Sequence, residues 1–279
     1  MSQMKKAENH KDLQESDKAF WHGYLAFYEH HLPEDIDGII IEFGVFKGAS
    51  IRWLLHRFPS ARIIGVDIVP QSPDWPIDPR VQYATVDQGR PEDVAQFFAD
   101  VTTPFLIIED GSHIPSHQSS CLREGMAALA PGGIYILEDI HTSHPAHKLY
   151  ESECRAEMRW WERGLHCLKR RWCASDPITF KQTALSVLLG FDHLKRLDRE
   201  SLDAEDLAWL AAGSHFNSSD ILTLYRDIEE IHSYRRATLP SVCYRCKSTK
   251  FRYHSFKCEC GTDLFLGPDS MSMILHKRL

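Results

Sequence analysis

The chain has 279 residues, 43% of them hydrophobic, with 32 basic and 39 acidic residues and a formal net charge of -7. That composition suffices for a packed core and excludes a disordered chain, while an acidic balance without long charge blocks argues against a nonspecific binder of nucleic-acid backbone. No stretch offers about 18 uncharged apolar residues for a membrane span, and residues 1 to 18 lack the apolar region of a secretion signal, so a soluble cytoplasmic protein with no membrane partner is expected.

In chain order, Leu13 to His31 carries Phe20, Tyr24 and Phe27 at helical spacing and reads as a helix over a core edge, ended by Pro33 and Gly38. Ile39 to Phe43 reads as a buried strand, Ala49 to Phe58 as a helix and Arg62 to Val66 as the next strand, a βαβ unit. After the proline-rich loop Pro70 to Pro79 come a strand at Val81 to Val86 and a helix at Pro91 to Ala99 with proline near its first turn. Phe105 to Ile108, helix Ser116 to Leu129, the turn Pro131-Gly132-Gly133 and strand Ile134 to Leu137 continue the alternation. This order predicts a mostly parallel α/β sheet. The segment His144 to Arg171, with Met158, Trp160 and Trp161, reads as one or two helices that cover the site or simply pack on the body. Phe180 to Leu189, Ala204 to Ala212 and Ser219 to Ile228 read as further helices.

Glu42-Phe43-Gly44-Val45-Phe46-Lys47-Gly48 joins the first strand to its helix, where small residues let backbone approach a ligand. A tight structural turn would use the same glycines. Asp67 ends the second strand, where an acid accepts ribose hydroxyls. A carboxylate at Glu42 would repel a pyrophosphate and suits the amino group of a sulfonium amino acid. The candidate cofactor residues are therefore Glu42, Gly44, Gly48, Ser50, Asp67, Asp87, Gln88 and Asp110, with Asp87-Gln88 placed against an adenine edge.

Two acidic signatures, Glu109-Asp110-Gly111-Ser112-His113 and Glu138-Asp139, follow predicted strands that are expected to be neighbours in a parallel sheet. Such strand ends gather Asp110, Glu138 and Asp139 around one point suited to a hard cation, unless the acids only cap helices or pair with basic residues. Strand alternation turns Glu109 away from Asp110. His113 is placed as a general base at neutral pH, with His141 and His144 as alternatives.

These motifs resemble class I S-adenosylmethionine-dependent methyltransferases, and over roughly residues 36 to 145 the magnesium-dependent sugar O-methyltransferases of macrolides and related glycosylated natural products. The resemblance carries Ile108 to His113, Ile136 to Ser143, and Asp269-Ser270 before a final apolar run. It implies a Rossmann-like, mostly parallel seven-stranded sheet with helices on both faces. It also implies magnesium held by Asp110, Glu138 and Asp139, catalysis by His113 with Asp110 and Asp139, and S-adenosylmethionine held by Glu42, Gly44 and Asp67. The expected reaction is methylation of a hydroxyl on a glycosylated or polyhydroxylated small molecule in natural-product or antibiotic biosynthesis, by a homo-oligomer. A catechol acceptor and a non-enzymatic scaffold are the alternatives.

Cys243-x2-Cys246 and Cys258-x-Cys260-Gly261 have the compactness of a four-thiolate zinc site. Against the resemblance, they form a small zinc-ribbon-like insertion between the last two strands. The basic residues Lys247, Lys250, Arg252, His254 and Lys257 read as solvated charge rather than a nucleic-acid patch. Cys121, Cys154, Cys167 and Cys173 read as reduced thiols. The expected organisation is an N-terminal helical segment at 1-35, a methyltransferase core at 36-235 and 265-279, and the insertion at 240-264.

Overall fold

Short apolar runs bounded by turn residues form the centre of the molecule. In the computed structural model, which describes residues 16–157, 181–253, 255–264 and 270–279, they are strands β1 (Ile39–Phe43), β2 (Arg62–Asp67), β3 (Val81–Thr85), β4 (Leu106–Glu109) and β5 (Ile134–Leu137). Near the end follow β6 (Ile228–Arg235), a hairpin of β7 (Phe251–Arg252) and β8 (Lys257–Cys258), and β9 (Met271–Lys277). One seven-stranded sheet takes the order β3-β2-β1-β4-β5-β9-β6. Only β9 runs antiparallel, to both β5 and β6. β1, β4 and β5 are buried along their whole length, as strands covered on both faces must be.

Helices α1 (Tyr24–His31) and α2 (Ala49–Arg57) lie over one face. Their Tyr24, Tyr28, Ile51 and Leu54 pack with Ile40, Ile108 and Ile136. On the other face α3 (Pro91–Asp100), α4 (Pro115–Ala128), α6 (Ala184–Arg196) and α8 (Ser218–Asp227) pack Val94, Leu122, Leu185 and Ile221 against Ile41, Ile107 and Leu137. Between these come α5 (Lys148–Glu157) and α7 (Ala204–Ala211). None of the described helices is long and apolar enough to cross a membrane.

The expected elements agree with these to within a few residues, with two instructive departures. The predicted helix Leu13 to His31 is broken: Lys18–His22 is a π-helical turn, and Gly23 leaves it at φ 74° before α1 begins. A β-carbon on Gly23 would stand 2.9 Å from the Tyr234 hydroxyl, so left-handed backbone and crowding both require glycine there. Conversely, α6 runs through Gly190, the expected end of a helix. Leu210 packs where its side chain would be, 2.8 Å from the missing β-carbon. Leu13, the stretch with Met158, Trp160, Trp161 and Phe180, and Cys167, Cys173, His254 and Asp269 lie outside the described residues.

Candidate active site

Strand alternation decides which acids meet. Ile40 faces α1 and α2, so Glu42, two residues on, points to the same side; Ile108 and Ile136 place Asp110 and Glu138 there in the same way. Glu109 follows Ile107 to the opposite side, where Gln88 Nε2 donates to it at 2.9 Å. The Lys18 ammonium reaches into the cluster from the N-terminal turn. It donates to Asp110 Oδ2 and, at 2.6 Å, to Glu138 Oε1, with Glu42 Oε1 3.8 Å away. Lys18 is only 4% exposed. Burial opposes its charge, but Asp110, Glu138 and Glu42 outweigh burial and hold it well above the ordinary lysine range. Glu138 is pushed well up by burial and by the charge of Asp110, and Asp110 is raised by burial against the pull of Lys18.

Asp139 faces a different set of partners. Tyr24 donates its hydroxyl at 2.6 Å, while His22 Nδ1 and His141 Nδ1 stand 3.7 and 3.9 Å from the same oxygen. Burial raises this carboxyl, yet the surrounding histidines and Tyr24 outweigh it and leave the group below its ordinary value. His113 Nε2 lies 3.9 Å from Asp110 Oδ1, and its buried Nδ1 has no hydrogen-bond partner. Asp110, His113 and Asp139 can each point a ligand atom at one spot, those atoms lying within 4.8 Å of one another. His113 and Asp139 both hold left-handed backbone, at φ 56° and 48°. Such strain in non-glycine residues persists only where the surroundings impose it.

A cleft of about 650 Å³ opens beside these groups and is bordered by Gly44, Asp67, Asp87, Asp110, His113 and Asp139. A side chamber of about 300 Å³ adjoins it, bordered by Gly44, Ser50 and Lys18. Gly44, at φ +88°, is obligatory, because a β-carbon there would come 2.0 Å from the Asp110 carbonyl oxygen. Asp67 accepts from the Val45 and Phe46 amides at 3.0 and 3.2 Å and so shapes the turn while facing the cleft. Glu42 is fully buried, and both its oxygens lack a hydrogen-bond partner. Burial pushes it up to about 7 despite the opposing pull of Lys18. A buried carboxylate with no hydrogen-bond partner, and with its Lys18 ion pair no closer than 3.8 Å, favours a bound cationic group.

Other expected cofactor residues also have partners within the protein. Gln88 borders the cleft and braces its loops: it donates to Glu109 and accepts from the Ser112 amide at 2.8 Å. Asp87 borders the cleft and accepts from the Gly89 amide at 2.8 Å. Gly48 does not border either cavity; it begins α2 at φ +70°, with Pro76 filling the space of a side chain. Of the three histidines weighed as bases, only His113 borders the cleft. His141 is buried behind Asp139, and His144 accepts from the Ala146 amide. Lys18, His22 and Tyr24 escaped the sequence reading. The available signal was Gly23, interrupting an apolar segment that also carried Lys18 and His22.

The cysteine hairpin lies against this N-terminal turn. Cys243 and Cys258 are buried, and Sγ separations are 3.7 Å for Cys243 to Cys260 and 3.5 Å for Cys246 to Cys258. All four ligand atoms lie within 4.8 Å of one another. A tetrahedral ion with bonds to sulfur of about 2.3 Å sets sulfur atoms about 3.8 Å apart, so the cluster can hold a metal ion. Trp21 packs on the hairpin core, Ser241 donates to the Phe20 carbonyl at 2.9 Å, and Arg236 donates to the Trp21 carbonyl at 3.0 Å. Tyr244 from the hairpin borders both cavities.

No protein-family model matches the chain. Among characterised proteins it is similar to 8-demethyl-8-alpha-L-rhamnosyl tetracenomycin-C 2'-O-methyltransferase of Streptomyces olivaceus, 33% identical over 166 residues that cover 54% of this chain and 43% of that protein. Mycinamicin VI 2''-O-methyltransferase of Micromonospora griseorubida is 29% identical over 138 residues, covering 45% of this chain and 33% of the relative. The chain thus spans less than half the length of these relatives. Among solved structures, the MycE methyltransferase of the mycinamycin biosynthetic pathway, in complex with Mg, SAH and mycinamycin VI, superposes with a TM-score of 0.56 at 18% identity, covering 97% of this chain and 53% of that one. The chain therefore has the Rossmann-like fold of the class I methyltransferases and, over about half its length, a sequence similar to sugar-directed O-methyltransferases.

Proposed function

We propose that the protein is an S-adenosylmethionine- and magnesium-dependent O-methyltransferase acting on a hydroxyl of a glycosylated small molecule. The observation that carries this reading is the shared cleft. Gly44, two residues on from the buried Glu42, and Asp67 of the neighbouring strand border one part of it, while Asp110, His113 and Asp139 gather ligand atoms in the next and Lys18 bridges Asp110 to Glu138. The donor set fits magnesium, since Asp110, Glu138 and Asp139 offer hard oxygens and an ammonium already stands between two of them. The relatives, whose names describe methylation of sugar-bearing natural products, support the acceptor class.

Bound in the cleft, the donor supplies an activated sulfonium methyl group, and the divalent ion supplies positive charge that favours an alkoxide. The residues do the rest. Glu42 binds the donor's ammonium, the loop around Gly44 lies close against it, and Asp67 accepts from its ribose. His113 takes the acceptor's hydroxyl proton at Nε2, the nitrogen facing Asp110, as the oxygen forms its bond to the methyl carbon and sulfur leaves as a neutral thioether. Tyr24 and His22 hold Asp139 in place. When the divalent ion is absent, Lys18 occupies the cation position, and it withdraws when the ion binds.

Methyl-labelled donor incubated with the protein, magnesium and a panel of glycosylated metabolites should label an acceptor, and chelation should abolish labelling until magnesium is restored. Transfer that survives complete metal removal rejects the metal role.

Zinc in the four-cysteine cluster is the second part of the reading, supported by the sulfur spacing. Because the hairpin supports the turn carrying Lys18 and lends Tyr244 to the cleft, Cys258→Ser should lose one equivalent of zinc by mass spectrometry. It should also raise KM for the acceptor severalfold. Full zinc content in the variant would exclude the assignment.

A further inference from the structure

Three imidazoles from three separate elements converge at the end of the sheet opposite the acidic cleft, and the reaction proposed above uses none of them. His276 of β9 pairs with Ile134 at the start of β5, whereas Glu138 follows Leu137 at the other end of that strand. In the β6–β9 ladder His232 lies opposite Ile274 and Glu230 opposite His276, so His232 and His276 are diagonal neighbours on the face covered by α1. His31 comes down onto them from the last turn of α1. Ring centroids are 4.2 Å apart for His31 and His232, 5.3 Å for His232 and His276, and 6.4 Å for His31 and His276. One ring nitrogen from each lies within 4.8 Å of the others. All three rings are half-buried, and Glu230 Oε2 stands 3.1 Å from His232 Nε2.

We propose that His31, His232 and His276 bind a borderline divalent transition cation of the zinc or cobalt class, with Glu230 or water completing the coordination. Imidazole nitrogens suit such ions and suit magnesium poorly, which separates this site chemically from the carboxylates; the absence of sulfur separates it from the cysteine hairpin. Metal-to-nitrogen bonds of about 2.0–2.1 Å in a tetrahedral site set nitrogens about 3.4 Å apart, so small side-chain rotations close the cluster. For His31 and His276 burial also favours the neutral form that a metal requires. Burial, together with His232, His30 and His276, holds His31 down to about 4, and burial with His232 lowers His276. The ion ties α1 to the β6–β9 pair, and α1 starts with Tyr24, the residue that donates to Asp139.

The test titrates cobalt(II) into the full chain with its cysteines already zinc-loaded and magnesium in excess. One equivalent should bind with visible ligand-field absorption and no thiolate charge-transfer band. His31→Ala and His276→Ala should each weaken that binding at least tenfold, and Asp139→Asn should leave it intact. His276→Gln controls for folding: it should melt with the wild type when metal-free and lack the cobalt-induced rise in Tm. Unchanged cobalt affinity in His31→Ala and His276→Ala, a cobalt-induced rise retained in His276→Gln, or cobalt binding abolished by Asp139→Asn would each overturn the site. The outcome is independent of whether methyl transfer is observed.

Discussion

Replacing His113 with glutamine is expected to slow methyl transfer by about 100- to 10,000-fold, the range over which a positioned general base contributes to proton removal. Glutamine keeps a polar side chain of similar reach but accepts no proton at neutral pH. Donor affinity should stay near wild type, because Gly44 and Asp67 border the cleft independently of the imidazole. Divalent-ion affinity should fall far less than the rate, because Asp110, Glu138 and Asp139 remain. Single-turnover rates with labelled donor, read beside calorimetric titrations of donor and magnesium, separate these effects. Near-normal single-turnover rates in His113→Gln would reject the base. His141 would not replace it, since it is buried behind Asp139 and does not border the cleft.

Lys18→Met should produce the second large effect, in the opposite direction for metal binding. In the proposed reading the ammonium and the divalent ion compete for Asp110 and Glu138, so the apparent affinity of the wild type for metal is reduced by the fraction of molecules in which Lys18 occupies the site. Where that fraction is about nine-tenths, removing the ammonium tightens magnesium or manganese binding about tenfold. The same change leaves a cluster of buried acids without its cation, and breaking a buried charge pair costs about 3–5 kcal/mol. The metal-free variant should therefore melt below the wild type and show a larger rise in Tm on adding magnesium. Equal metal affinity in the two proteins would rule out competition. Failure of both proteins to bind a divalent ion would instead reject the metal reading itself.

Most of the sheet was legible in the chain because its signals are local. Ile39 to Phe43 and Ile134 to Leu137 are apolar runs of strand length, and Pro91 and Pro115 sit where helices begin, so propensity, pattern and turn chemistry agree. The opposed orientations of Glu109 and Asp110 were also readable, since a period of two is a property of the strand. The break at Gly23 was less legible: an apolar segment with helical spacing reads as one helix until the Tyr234 hydroxyl, more than two hundred residues later, takes the space. Gln88 borders the cleft, in keeping with its position at a strand end, but the contacts of Glu109 and Ser112 with the two ends of its amide arise only from packing.

The acidic strand ends, the glycine at position 44 and the cysteine spacing were present as residue types at fixed separations, and those were enough to establish an α/β sheet with a carboxylate-lined end and a thiolate-bearing insertion. Which groups meet was decided only by packing. Lys18 lies 92 residues from Asp110 and 120 from Glu138, and the cysteine hairpin that supports its turn lies farther still along the chain. No local periodicity encodes such contacts, because they exist only once α1 is folded over the sheet and the β6–β9 pair has closed beside it. The same holds for His31, His232 and His276, which become neighbours through strand register and helix placement alone.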